Sequence, residues 1–341
     1  MPIQRKKITA EDLNKLASDV NELFGDTHAD QGPSSDPAVQ DDIRWGWGGD
    51  NVEYVQPKEK LTAEFTNEIV NRINLSTYRT NSTDQELVIV TQGDKVTAEF
   101  FNTAAGLLDT ARNSRNQVDP ALTSLSIGKT VTSTVTEWRN ILENEIEIEF
   151  DGYESARHFF NAGGDIRLSF SIADGTGGGY STWGGIFMDQ GTLRLNVDTL
   201  QSLNNRGISQ DIGFADLVPA EQLLYTSPSG GGGEYGGYGG YGGYGGYGGY
   251  GGYGGYGGYG GYGGYGGYGG YASSRLKVFG NIIDDQLRLR VLLDHAGLGT
   301  KVKGIITMTV SVSQPSTVTE NDVTLELPTP TILLRTPWQG T

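Results

Sequence analysis

From Tyr235 to Tyr271 a tyrosine recurs at every third position with Gly-Gly between, a pattern that no ordinary helix or sheet accommodates. Glycine at two positions in three makes an α-helix costly and leaves a strand little to pack with. The three-residue period instead matches the extended left-handed helix with three residues per turn. In that geometry Tyr235, Tyr238, Tyr241, Tyr244, Tyr247, Tyr250, Tyr253, Tyr256, Tyr259, Tyr262, Tyr265, Tyr268 and Tyr271 all point to one side. The strip would be about 115 Å long at about 3.1 Å per residue, or about half that if it doubles back. For a lone monomer the alternative is a flexible glycine-rich loop. In an oligomer, tracts packed side by side would order, because only glycine allows such close backbone approach.

The tract is entered after Leu223-Leu224-Tyr225 and left into an apolar-alternating segment that starts near Arg275. It reads as an arm, residues 228–274, inserted within a β domain at 145–341, and its two ends must therefore lie close together. The surrounding segments alternate with a period of two. Glu145-Ile146-Glu147-Ile148-Glu149-Phe150 is strict, and Ile166, Leu168, Phe170 and Ile172 alternate with Arg167, Ser169 and Ser171. Such alternation marks strands with one buried face. Further strands are expected at 185–188, 192–197, 276–283, 286–293, 302–312 and 323–327, with Asp284-Asp285 as a hairpin turn. Together they predict an antiparallel sandwich. A short helix at 154–162, capped by Ser155, is closed by Gly163-Gly164, with Phe159 and Phe160 anchoring it to the sheet.

Residues 1–144 read differently, as a helix-rich assembly and docking region. Lys7-Ile8-Thr9-Ala10-Glu11, Lys60-Leu61-Thr62-Ala63-Glu64 and Lys95-Val96-Thr97-Ala98-Glu99 share one pattern, completed by Asn14, Asn67 and Asn102. Thr9, Thr62 and Thr97 sit where an N-cap hydroxyl accepts a backbone N–H. The following glutamate favours the positive end of the helix dipole. Similar caps alone would explain the likeness; an internally repeated unit is the sharper reading, although spacings of 53 and 35 residues exclude a regular solenoid. Short strands are expected at 51–55 and 86–90, a loop over 26–42, and a fourth helix near 132–143, where Val135, Trp138, Ile141 and Leu142 share one helical face. Trp45-Gly46-Trp47-Gly48-Gly49 suits an aromatic contact surface or a packed hairpin, with packing favoured. The fold class is therefore α+β.

Chemistry is sparse. A formal net charge of −16 leaves no electrostatic footprint for nucleic acid. The absence of cysteine excludes disulfides and thiolate zinc. No apolar run is long enough to span a bilayer, and no signal peptide is apparent. Gly128-Lys129-Thr130 lacks the earlier glycine of a phosphate loop. Asp26, His28 and Asp30 make at most a weak metal site and read better as a solvated loop. No catalytic, cofactor-binding or metal-ligating residues are expected, and the chain reads as a non-enzyme without cofactor.

The segment running from Tyr153-Glu154-Ser155-Ala156-Arg157-His158-Phe159-Phe160 through Asn161-Ala162-Gly163-Gly164-Asp165-Ile166-Arg167 resembles a motif of virion structural proteins of large tailed bacteriophages, especially those of marine cyanobacteria. The Thr-Ala-Glu-x-x-Asn openings are phage-like too. The resemblance implies a tail, baseplate or fibre-associated part of a virion, made in the host cytoplasm, homo-oligomeric and bound to other virion proteins. It carries no functional residues over, and the Gly-Gly-Tyr arm is a departure from it. Two other roles suit the arm: an adhesin module stacking tyrosines on host-surface glycan, and an extracellular filament or matrix protein with a silk-like tract.

Overall fold

The computed structural model describes residues 8–26, 32–34, 36–56, 59, 61–229, 274–283, 286–295, 301–320 and 323–340. The Gly-Gly-Tyr tract, His28, Asp30 and the Asp284-Asp285 turn lie outside them.

The first half is helical: α1 (Ala10–Phe24), α2 (Pro37–Ile43), α3 (Ala63–Thr80) and α4 (Ala98–Asn113). The three expected caps are all formed. The hydroxyls of Thr9, Thr62 and Thr97 accept the N–H of Asp12, Phe65 and Phe100. Leu13, Leu16, Val20, Ile69, Ile73, Phe101, Leu107 and Leu108 are buried in one shared core. The short helix α2, capped by Asp36 and opened by Pro37, occupies part of the stretch expected to be loop.

The second half is β-rich and starts earlier than expected. Its strands are β1 (Thr123–Thr132), β2 (Glu137–Trp138), β3 (Ile141–Glu149), β4 (Asp165–Ala173), β5 (Leu193–Leu195), β6 (Leu200–Ser202), β7 (Ile208–Ser209) and β8 (Gln222–Thr226). They continue as β9 (Arg275–Ile283), β10 (Gln286–Asp294), β11 (Val302–Lys303), β12 (Ile305–Pro315), β13 (Val318–Glu320), β14 (Val323–Leu325) and β15 (Thr331–Gly340). Two helices interrupt them, α5 (Gly152–Asn161) and α6 (Gly177–Gln190). The helix expected at 132–143 is absent. That stretch is the end of β1, a turn, β2 and the start of β3, because its run of β-branched residues disfavours helix. The strand expected at 185–188 is instead the last part of α6, where Trp183, Ile186 and Phe187 are buried at helical spacing.

Two antiparallel sheets face each other. One has the order β1-β12-β4-β5-β6, the other β15-β3-β10-β9-β8-β7. Ile166, Leu168, Ile306, Met308 and Val310 from the first meet Ile146, Ile148, Val278, Leu287 and Leu289 from the second in one core. On β3, β9 and β10 burial alternates strictly, as their sequences require. The outward glutamates of β3 are matched across the register by arginines. Arg288 Nε lies 3.2 Å from Glu147, and Arg335 Nη1 lies 2.6 Å from the same carboxylate. Single pairs of this kind stabilise little, but the alternating ladder fixes which face is wet and therefore the register.

Helix α5 lies against the sandwich through aromatic rings. Phe160 stacks on Phe214 at 4.4 Å and meets Phe159 edge-on at 5.1 Å. Both phenylalanines are fully buried, as expected of anchors. Phe160→Ala should cost about 3–5 kcal/mol, the usual range for a buried aromatic truncation. The check is the midpoint of chemical denaturation, followed separately by tryptophan emission and by far-UV dichroism.

Candidate functional site

The repeated asparagine of the helix openings has a definite job. Asn14 Nδ2 donates to Val55 O at 2.9 Å, and Asn14 Oδ1 accepts from Val55 N at 2.8 Å. One helical heptad on, Asn21 makes the same pair with Val52, at 2.9 and 2.7 Å. Helix α3 repeats the arrangement: Asn67 holds Val90 at 2.9 and 2.7 Å, and Asn74 holds Leu87 at 2.9 and 2.8 Å. A carboxamide carries donor N–H and acceptor C=O groups on one planar unit, as a peptide does. Two of them seven residues apart lie on one helix face and replace the neighbouring strand that residues 52–55 and 87–90 lack. These segments are the strands expected at 51–55 and 86–90. They are extended, but they pair with side chains and not with a sheet.

Each clamped segment ends in the same small turn before the next helix. Glu59 accepts from Gln56 N at 2.8 Å, and Asp94 accepts from Thr91 N at 2.8 Å. The unit is therefore extended segment, turn, threonine cap and helix, with each segment lying on the helix of the preceding unit.

The resembled motif joins this helical half to the sandwich. Arg157, whose side chain is fully buried, donates from Nη1 to Trp45 O at 2.9 Å and from Nη2 to Asp26 at 2.8 Å. Asn161 Nδ2 lies 2.9 Å from both Ile43 O and Trp45 O. From α3, the buried Arg79 reaches Ala162 O at 2.6 Å and lies 5.1 Å over the Trp47 ring. Burial without a carboxylate pulls the Arg79 pKa down to about 9. Gly48 (φ +81°) passes so close to His158 that no Cβ would fit, and Gly163 (φ +88°) makes the left-handed turn into β4. Trp47 is buried, so the tryptophan-glycine run is mainly packing. Ser155 does not cap α5; it lies inside the helix and donates to Asp151 O.

Asp26, Glu154 and His158 place one ligand atom each within 4.8 Å of one another. Sequence reasoning paired Asp26 with His28 and Asp30 instead. A guanidinium already stands among the three, since Arg157 Nη2 is 2.8 Å from Asp26 and 3.7 Å from Glu154. The cluster is an ion-pair junction whose central cation is covalently held. His158 Nε2 lies 3.0 Å from both Asp26 Oδ1 and Arg157 Nη2. Desolvation and the Arg157 charge push its pKa below the ordinary value, against the opposing pull of Asp26.

The arm has a well-defined root. Antiparallel neighbours β8 and β9 carry its two ends. Ser227 N donates to Leu276 O at 2.8 Å, and the Ser227 hydroxyl accepts from Leu276 N at 3.0 Å. Ser274 Oγ lies 3.1 Å from His295 Nδ1, and both residues are buried. The chain thus leaves and returns at one place on the sheet, as its position in the sequence demands. No helix among the described residues is long and apolar enough to cross a membrane. No protein-family model matches the chain, and neither curated proteins nor solved structures show a similar one.

Two outcomes test these assignments. Asn74→Ala removes both bonds to Leu87; it should cost about 1–3 kcal/mol and strip hydrogen-exchange protection from the Leu87 amide while leaving β9 and β10 protected. Protonating His158 is disfavoured in the folded state. Its contribution to stability is therefore present above the ordinary histidine pKa of about 6.5 and is lost as pH falls through the lower folded value. His158→Gln should flatten the decline of denaturation midpoint as pH falls from about 6.5 towards the lower folded value, measured against the parent chain.

Proposed function

We propose that the protein is a structural component of a tailed-phage virion, in the tail, baseplate or a fibre, that docks through its helical half and displays the Gly-Gly-Tyr arm from its sandwich. The observation carrying this reading is where the polar side chains of the resembled motif go. Arg157, His158 and Asn161 are all spent on holding residues 26 and 43–48, which is the chemistry of a joint. The arm's attachment supports the same reading. Its two ends sit on adjacent strands of a continuous sheet, a stiff base for a long projecting element. A homo-oligomer would bring several arms together, consistent with the symmetry of virion parts.

Host-surface glycan is the alternative contact for the tyrosine row, since an aromatic face combines apolar area with a polar tip. Deleting residues 236–270 separates the two roles. Residues 227–235 and 271–274 still bridge β8 and β9, so the sandwich should fold. Under the structural reading, mass spectrometry of purified particles finds the protein at fixed stoichiometry and the deletion impairs particle assembly. Normal particles that fail to adsorb to host cells would transfer the arm to receptor binding, and particles lacking the protein altogether would sink both.

A further inference from the structure

The two main sheets have four edge strands, and three of them are blunted against further pairing. β6 has three residues and β7 two. β15 carries Pro337 and two breaks in its register with β3. Short strands, proline and irregularity are the usual protections of an open edge. β1 is different. It has ten residues and no proline, and among the described residues it pairs with β12 alone. Its first five residues, Thr123-Ser124-Leu125-Ser126-Ile127, run without a break up to the bulge at Gly128.

The side chains of that stretch do not suit a free edge. Leu125 is 60% exposed and Ile127 71%. They lie beside Ser313 and Ser311 of β12, on the face away from the core residues Val310 and Val312. The adjoining edge of the other sheet adds Leu333 and Leu334, both also exposed. β1 and β15 are neighbours on this flank. A Cβ on Gly128 would strike the Ile332 side chain, and Trp338 Nε1 donates to Val131 O at 3.2 Å.

Charge sets the flank apart. Of 341 residues 41 are Asp or Glu, yet none occurs from Pro120 to Thr136 or from Leu327 to Thr341, the stretches that contain these two edges. Arg335 of β15 is paired with Glu145 and Glu147 of β3. Two strands in from β1, the carboxylate of Asp165 is buried and held by Arg167 and Arg194. Copies of a chain with net charge −16 repel one another wherever unpaired carboxylates meet. On this flank they meet none from either edge strand. The edge is also self-complementary. Read in either direction, residues 123–127 are a β-branched residue, serine, leucine, serine and a β-branched residue. Set antiparallel to itself about a two-fold axis at Leu125, the strand brings the two Leu125 residues opposite each other, Ser124 opposite Ser126 and Thr123 opposite Ile127. Leucine and β-branched side chains then share one face of the joint and serine hydroxyls the other.

We propose that β1 is the self-association edge of this protein and that its partner is a second copy. Antiparallel β1–β1 pairing over Thr123–Ile127 makes the two five-stranded sheets continuous and satisfies the open peptide groups of both edges at once. Leu333 and Leu334 widen the apolar contact from the other sheet. A two-fold contact of this kind closes on itself and does not grow into a filament. β8 and β9, at the root of the arm, lie towards the opposite edge of their sheet from β15, so the pairing leaves both arms clear.

The inference rests on the oligomeric part of the proposed role and is tested apart from it. Sedimentation velocity of the full chain over a concentration series is expected to show a reversible dimer. Leu125→Lys sets two like charges face to face across the axis and should weaken that dimer about tenfold or more, as should Leu125→Glu. An equimolar mixture of the two variants should restore it, because a two-fold register about Leu125 brings one charge against the other. Ile208→Lys, at an exposed position on the opposite edge, should leave the dimer unchanged. Melts followed by circular dichroism check that each variant folds as the parent does. A chain that is monomeric at every concentration, a dimer that persists in Leu125→Lys, or a mixture that fails to re-form it overturns the proposal. A monomer that loses its place in purified particles through Leu125→Lys would give the edge to a foreign subunit and likewise overturns the second copy. Fixed stoichiometry of the parent protein in particles is a separate readout that none of these outcomes changes.

Discussion

An extended chain that leaves a sheet keeps its backbone polarity and must find partners elsewhere, and in this protein side-chain amides supply them. Asn14, Asn21, Asn67 and Asn74 each bond both the N–H and the C=O of one residue in an extended segment. Asn161 gathers carbonyls of the loop between α2 and the first clamped segment. In the sandwich, Asn144 reaches Thr336 O at 2.6 Å, beside the irregularity that breaks the β3–β15 register. Without these amides the helical half would have buried, unpaired peptide groups beside Leu87 and Val52. Each such group costs more than a surface ion pair returns. The amides therefore decide where the segments lie, and the aliphatic residues on those segments then close the core of α1, α3 and α4.

The parts of the fold that were legible in the sequence are those governed by local rules. β3, β9 and β10 alternate because one face is buried and the other wet, and the threonine caps announce α1, α3 and α4. Legibility failed where a local rule was outweighed or a coincidence intruded. Val135, Trp138, Ile141 and Leu142 fall at helical spacing, yet the threonines and valines around them resist helix, and Trp138 is buried instead in a short strand paired with Val302. Helix α6 carries five glycines and still forms. Its Trp183 and Phe187 pack against Trp138 and Phe170, and this tertiary gain offsets the poor propensity.

The joint between the halves was legible only as residue types. The shared asparagine stood out in all three openings, but Asn14 and Val55 are 41 residues apart and no periodicity links them. The Asp26–His158 contact spans 132 residues. What the sequence did offer was the spacing from each threonine cap: Asn at the fifth and twelfth positions after Thr9 and Thr62. Two amides a heptad apart on an otherwise amphipathic helix are unusual as core residues and unnecessary for solubility. That pairing is the signal that marks a clamp.

The placement of the arm also has a mechanical consequence. It is joined to the end of β8 and the start of β9, so a pull on it directed parallel to these strands would draw both the same way. Against β7 that load meets little, since β7 and β8 share only two paired residues. Against β10 it meets nine, from Arg275–Asp294 to Ile283–Gln286, and β10 is held in turn by β3 over nine more. A load parallel to the strands strains all of those hydrogen bonds together, whereas one applied at the end of a ladder would open them singly. The long pairings thus lie on the side of the arm where they share the load, and the weak pairing lies at the sheet's edge, where its loss would leave the core of Leu276, Val278, Leu287 and Leu289 closed. If the arm bears load, as the proposed display role implies, the resistance would come from β9, β10 and β3, the strands whose burial alternates strictly.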